Sequence, residues 1–149
     1  MAAGDITWFS QAKVDLFLKL HQLDTDAIKL GLITAAVTPT EADAAPHWGG
    51  TGTTNFATNE VTPGGNYTTG GPDISSTAAA DGANAKFDAT DVAIAQHVSN
   101  PANARWGIGY NSTDANKRAL FFLDLGAAKD LTTGAFSVTW NASGIATVS

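Results

Sequence analysis

The sequence predicts an all-β fold, an antiparallel β-sandwich or jelly roll with long loops and a short N-terminal helix as an option. Phe136, Val138 and Trp140 alternate with two hydroxyl residues, so that one face of a strand is apolar. Residues 120–123, the start of a strand at 120–125, are apolar on both faces, which is typical of a central strand that is covered on both sides. Short segments of this kind recur along the chain with turn residues between them, as in a sandwich.

Residues 1–22 form a candidate N-terminal arm whose secondary structure the sequence leaves open. The alternation of apolar residues from position 14 to position 20 suggests a strand. A helical stripe on the same segment is formed by Val14, Phe17, Leu18 and His21. Ser10 is suited to cap a helix that begins at Gln11. We favour the short helix.

A predicted strand, residues 27–33, is followed by a long irregular segment. Ile28, Leu30 and Leu32 share one face of this strand, and Pro39 ends it because proline cannot donate to a ladder. Residues 42–58 are rich in Gly, Thr and Ala and have no sustained period. We expect a surface loop or arm there, and loops of this length tend to be functional.

The middle of the chain predicts a bent strand and an edge strand. Residues 59–71 carry two glycine pairs, which indicates a bulged strand at a place where another backbone comes close. Residues 74–85 are small and polar, as expected for an edge strand with a turn at Asp81 and Gly82.

The remaining strands follow from period-2 patterns. We expect strands at residues 86–89, 91–95 and 104–110, with Val92 and Ile94 facing the core. Trp106, Ile108 and Tyr110 share one side of the last of these strands. After the central strand, residues 126–134 read as a loop, and the strand at 135–140 turns at 141–144 into a return strand at 145–148.

Composition excludes several classes of function. The chain of 149 residues is long enough for one domain with a real core, and 44% of its residues are apolar. A net charge of -6 without a basic stripe argues against nucleic-acid and membrane-surface partners. The absence of cysteine excludes disulfides and thiolate sites. Residues 1–5 have neither a basic nor an apolar region, so no secretory signal is expected.

No enzyme, metal or cofactor motif is recognisable. His21, His47 and His97 are far apart and lack metal-ligand spacing. Asp24 and Asp26 predict an Asx turn, because the glycine and the distal glutamate of a calcium loop are missing. The acidic candidates for hydrolysis are Asp88, Asp91 and Asp124, which read instead as turn caps and a lone acid in a strand. We therefore expect no catalytic activity and no cofactor.

Trp48 and Tyr67 each lie in a polar, glycine-rich segment that cannot bury them by itself. One interpretation is that they fold back onto the core. The other is that they anchor an intersubunit contact, where aromatic residues are enriched.

Several motifs, taken in order, resemble a family of small structural proteins of tailed-bacteriophage virions. The matching segments are residues 23–34, 59–61, 67–71, 87–92, 123–126 and 136–145, which read LDTDAIKLGLIT, NEV, YTTGG, FDATDV, LDLG and FSVTWNASGI. The resemblance implies a β-sandwich, and several such proteins are capsid cement or decoration proteins.

From this resemblance we derive the hypothesis of a capsid decoration protein on the virion surface, assembled in the host cytoplasm. It would bind the major capsid protein on the outside of the shell, associate with itself as a homotrimer or homodimer, and stabilise the head. Contacts are expected from the N-terminal segment and the 42–58 loop. The residues chosen for them are Trp8, Phe9, His47, Trp48, Phe56 and Tyr67.

Two alternative functions would involve partners other than the capsid. One is a component of the phage tail. The other is a receptor- or carbohydrate-binding β-sandwich that uses Trp48, Tyr67 and Trp106 as stacking surfaces.

Overall fold

A four-stranded antiparallel sheet forms the centre of the computed structural model, which describes residues 4–148. Its strands lie in the order β1, β9, β8, β2. Their bounds are β1 Ile6–Trp8, β9 Ala119–Lys129, β8 Ala104–Asn111 and β2 Ile28–Ile33. Strand β9 occupies an inner position because residues 119–125 are buried on both faces and all of them except Asp124 are apolar. The prediction of a doubly covered central strand is confirmed.

Three smaller sheets surround the central one. Strands β10 (Phe136–Val138) and β7 (Val92–Ile94) pair antiparallel, and so do β5 (Thr77–Asp81), β6 (Asn84–Asp88) and β11 (Ala146–Val148) in the order β11, β6, β5. Two parallel bridges join β3 (Pro46–His47) to β4 (Thr54–Asn55), which a 3-10 helix follows at Phe56–Asn59. Helix α1 spans Ser10–Phe17. An all-β, mainly antiparallel fold with one short N-terminal helix is therefore confirmed.

Aromatic side chains link the sheets into one core. Phe122 of β9 packs against Phe9, with the two ring centroids 5.1 Å apart, and it contacts Trp106 in an edge-to-face arrangement. On the other face of β9, Phe121 packs against Trp8 and Trp140. The predicted inward-facing residues of β2, β7 and β8 are all buried. The apolar core thus lies on both faces of the central sheet.

The two C-terminal strands do not form the hairpin that the sequence predicts. The turn itself exists, since the Gly144 N–H donates to the Asn141 carbonyl at 2.7 Å. It carries the chain from one sheet to another, because β10 pairs with β7 whereas β11 pairs with β6. The Trp140 backbone N–H donates to the Asp91 carboxylate and its indole N–H donates to the Thr90 carbonyl. These two bonds hold the end of β10 next to the segment that leads into β7.

The predicted loop at residues 126–134 is shorter than expected. Strand β9 continues to Lys129, which pairs with Ala104 beyond a register shift in which β9 carries the extra residues. Residues 126–130 are exposed, and the Gly126 N–H donates to the Asp124 carboxylate at 2.6 Å.

Residues 42–58 lie mostly in turns and bends, but they do not form an arm that stands apart from the fold. The segment contains β3, β4 and the first part of the 3-10 helix, and it buries His47, Trp48 and Phe56. Residues 59–71 are not a regular strand either, because their ladder contacts are isolated bridges. The close backbone approach expected there is confirmed at Gly71, where an added Cβ would collide with the Leu30 carbonyl.

Residues 4–22 are part of the fold and not a separate arm. Strand β1 pairs with β9, and the helix that follows begins at Ser10 and not at Gln11. Phe9 occupies the N-cap position without a side-chain cap, so the predicted capping role of Ser10 is wrong. Residues 1–3 of the expected arm lie outside the described residues. Within residues 4–148, no helix has the length and apolar character needed to cross a membrane.

Candidate functional site

Five of the six residues predicted to contact a partner are buried in the core. The relative exposures of Phe9, Phe56, Tyr67, His47 and Trp48 are 0%, 0%, 1%, 3% and 4%. Trp8 is partly buried and packs against Phe87 and Phe121. The assignment of the five buried residues as contact anchors is corrected, because a side chain without exposed surface cannot meet a partner in this fold.

Trp48 is buried by groups that are distant in sequence. Its ring stacks on Tyr110 with centroids 5.1 Å apart and an interplanar angle of 8°. It also lies flat over Gly31, where an added Cβ would come within 2.6 Å of three ring carbons. The interpretation that Trp48 folds back onto the core is therefore the correct one.

Tyr67 is buried with its hydroxyl group satisfied. The hydroxyl accepts a hydrogen bond from the Leu32 N–H at 2.9 Å and donates one to Glu60 at 3.0 Å. Burial is the main cause that raises the pKa of Tyr67 far above its usual range. Together with the burial of Trp48 and Trp106, this leaves the three proposed sugar-stacking residues without an exposed aromatic face.

The exposed apolar surface lies instead on and just after helix α1. We call it the α1 patch, and it consists of Val14, Phe17, Leu18 and Leu20. Phe17 is 88% exposed and Leu18 is 61% exposed. The helical stripe predicted from sequence is present only in part, because the helix ends at Phe17. Val14 and Phe17 are helical and exposed, whereas His21 lies beyond the helix and is buried. Clustered exposure of large apolar groups is a mark of interaction surfaces.

A hollow beside the α1 patch is lined by residues of both segments from which contacts were expected, the N-terminal segment and residues 42–58. Its volume is 360 Å³. It is lined on the helix side by Gln11, Asp15, Leu18 and Leu20, and on the other side by Ala45, Pro46, Thr51, Asn116 and Arg118. The N-terminal segment and residues 42–58 therefore contribute to one surface, although through other residues than those predicted.

A buried polar cluster fixes helix α1 to the domain below the patch. Asp15 is 3% exposed, accepts a hydrogen bond from Gln11 at 2.8 Å, and lies 3.6 Å from the Arg118 Nε. Arg118 also bonds to Asp114 through its Nη1 at 2.7 Å. Because a buried carboxylate needs partners, these contacts hold the helix in one orientation.

His21, which lies four residues after the end of α1 at Phe17, completes this cluster. Its Nδ1 lies 3.1 Å from the Asn111 side-chain nitrogen, which also donates to Asp26. Its Nε2 lies 3.8 Å from Asp15 and has no hydrogen-bond partner among the described residues. Burial lowers the pKa of His21, and this effect outweighs the opposing influence of Asp15. The neutral imidazole is therefore the form that the fold favours.

The carboxylates considered for catalysis have structural partners. Asp124 pairs with Arg105, whose guanidinium stacks 4.0 Å above the Trp106 ring. The hydrogen bond from Arg105 lowers the pKa of Asp124. Asp88 accepts the Ala89 N–H at 2.9 Å, as expected of a turn cap. The described residues contain no group of three or more His, Asp or Glu arranged to hold a metal ion.

Comparison of the chain with protein-family models, with curated proteins and with solved structures finds no match. A functional proposal therefore depends on the motifs of the sequence and on the surfaces described above.

Proposed function

We propose that this protein is a bacteriophage capsid decoration protein that binds the major capsid protein through the α1 patch. The motif resemblance to small virion structural proteins supports the class of function. The exposed Phe17 and Leu18 carry the proposal for the contact, because they are large apolar groups presented to solvent on a fixed helix.

The geometry of the patch suits a contact that is repeated many times on a shell. Burying one exposed Phe side chain contributes about 2 kcal/mol, which is modest for a single contact. An oligomer that engages several capsid subunits gains further through effective concentration. The polar cluster around Asp15 holds the helix before binding, so that little ordering entropy is lost on attachment.

The proposed location is the outer surface of the capsid in the virion, reached after synthesis in the host cytoplasm. The net charge of -6 is compatible with a protein partner and unfavourable for packaged DNA. Self-association as a homodimer or homotrimer would match the symmetry of capsid sites.

Binding of the purified protein to emptied, expanded phage heads tests this proposal. The variants Phe17→Ser and Leu18→Ser should lower the affinity for heads about tenfold each, since each removes roughly 1.5 kcal/mol or more of apolar burial. Val98 offers a matched control, because it is 78% exposed and does not belong to the patch. The variant Val98→Ser should bind as the wild type does.

Two results would contradict the proposal. One is wild-type affinity of the Phe17→Ser variant for heads. The other is a wild-type protein that does not bind heads but binds tails or host cells, which would favour the tail or the receptor-binding alternative.

A further inference from the structure

Strand β5, Thr77–Asp81, is an open edge of the sheet that contains β6 and β11. All five of its residues are exposed, and it pairs with β6 on one side only. Its sequence, TAAAD, has no proline and no lysine, which are two common means of blocking an edge against further pairing. Small alanine side chains also allow a second backbone to come close.

The register of the β5–β6 hairpin determines which groups of β5 point outward. A two-residue turn at positions 82 and 83 makes Asp81 and Asn84 a hydrogen-bonded pair. Because bonding alternates along an antiparallel ladder, Ala79 and Thr77 also bond to β6. Ala78 and Ala80 therefore direct their N–H and C=O groups away from the sheet. These outward groups make no hydrogen bond to any other residue within positions 4–148.

We propose that a second copy of this chain pairs antiparallel with β5 about a twofold axis at Ala79. In this register Ala78 of each copy lies opposite Ala80 of the other copy. The two outward N–H groups of each copy, four in total, therefore each donate to a carbonyl of the other copy. The pairing is isologous, as a closed dimer requires. It joins two three-stranded sheets into one sheet of six strands.

Charge complementarity favours a second copy as the occupant of this edge. With the axis at Ala79, Asp81 faces Thr77 of the second copy and not another Asp81. A carboxylate opposite a hydroxyl can accept a hydrogen bond, whereas two carboxylates directly opposite each other would repel. The same strand is thus its own complement in this one register.

An apolar groove under the edge strand adds to the interface. Its volume is 890 Å³, and its apolar lining includes Trp8, Leu16, Leu23, Ala78, Ala80 and Phe87. Ala78 is paired with Phe87 and Ala80 with Ala85, so these side chains share one face of the sheet. Pairing of two β5 strands brings the Ala78 and Ala80 side chains of both copies together and makes this apolar face continuous. The dimer does not rest on the capsid proposal, because the α1 patch lies outside the β5 edge.

A matched pair of variants at Ala79 tests the dimer in solution. Ala79→Asp places two carboxylates opposite each other at the axis, whereas Ala79→Asn has the same size without the charge. At neutral pH, sedimentation equilibrium should show a dissociation constant for Ala79→Asp roughly tenfold or more above that of Ala79→Asn. A wild-type protein that stays monomeric at millimolar concentration would overturn the proposal, and so would equal dissociation constants for the two variants.

Cross-linking tests the register itself, and it does not depend on how well the Asp variant folds. The chain has no cysteine, so a single introduced thiol can react only with its copy. In a non-hydrogen-bonded antiparallel pair the Cα atoms are about 4.5 Å apart, within the range of disulfides. Ala79→Cys should therefore give a covalent dimer on mild oxidation.

Thr77→Cys is the control for this experiment, because in the proposed register the two thiols lie about 14 Å apart along the strands. Equal cross-linking of both variants, or none of Ala79→Cys, would overturn the register.

Discussion

Trp48 shows at the residue scale why aromatic residues in polar segments need not be contact residues. Its ring is stacked on Tyr110 and covers Gly31, two positions that are far from it in sequence. The absence of a side chain at position 31 makes room for the ring. A long-range fit of this kind leaves no periodic signal in the segment that contains Trp48, so the sequence could suggest burial but could not decide it.

Replacing Gly31 by alanine tests this fit. The added Cβ would come within 2.6 Å of the Trp48 ring, so the ring must shift and lose part of its stack on Tyr110. We expect a loss of about 1–3 kcal/mol in the free energy of unfolding, measured by urea denaturation. Gly134→Ala is the control, because an added Cβ has no atom within 4 Å there. Equal stability of the two variants would contradict this role of Gly31.

His21 makes stability depend on pH. Burial lowers its pKa in the folded protein below the ordinary value of 6.5, so the unfolded chain binds the proton more tightly. Stability should therefore decrease as the pH falls below about 6.5 and through the lowered pKa. The charged groups that face the imidazole are Asp15, Asp26, Asp114 and Arg118.

Urea denaturation at about pH 7.5 and about pH 5.5 measures this effect. The wild type should lose stability between the two values, and the His21→Gln variant should lose less. The same dependence on pH in both proteins would assign the titration to another group.

Trp140 connects two sheets at the scale of elements. Its indole N–H donates to the Thr90 carbonyl at 2.8 Å, and its ring meets the edge of Phe121 on β9. Trp140→Ala should cost about 3–5 kcal/mol and unfold much of the population. Thermal unfolding followed by circular dichroism measures this loss.

The effect of Trp140→Ala on head binding should follow only from the loss of folded protein. The folded fraction at low temperature should bind heads as the wild type does. A well-folded variant that fails to bind would instead place Trp140 in the contact.

The strands with a clear hydrophobic pattern could be predicted from the sequence. The pairing of strands that are far apart in the sequence could not. The central strand β9, the inward faces of β2, β7 and β8, and the edge position of β5 followed from period and composition. The partners of β10 and β11 did not, because local sequence favours a hairpin through the turn at 141–144. Their actual pairing depends on β7 and β6, which lie about fifty residues earlier.

The candidate site shows the same limit. A short helix in this segment could be predicted, but its end at Phe17 could not, and whether its apolar residues face the core or solvent depends on how α1 is anchored. Asp15 and His21 turn inward to the polar cluster around Arg118 and Asn111, so Phe17 and Leu18 point outward. The unusual exposure of Phe17 thus follows from polar contacts that the sequence alone does not pair.

Two separate surfaces emerge for the whole molecule. The α1 patch offers exposed apolar groups for a partner, and the β5 edge offers unpaired backbone for a second copy. A dimer made at β5 would carry two α1 patches and could therefore engage two capsid subunits at once. Such divalent attachment would raise the residence time on a shell without any stronger single contact.

A cryo-EM map of the virion tests the central proposal most directly. We expect density of this fold on the outer surface of the capsid, with α1 facing the major capsid protein and a copy number close to that of the shell subunits. Density of this fold in the tail, or capsid-bound density in which Phe17 and Leu18 face solvent, would contradict it.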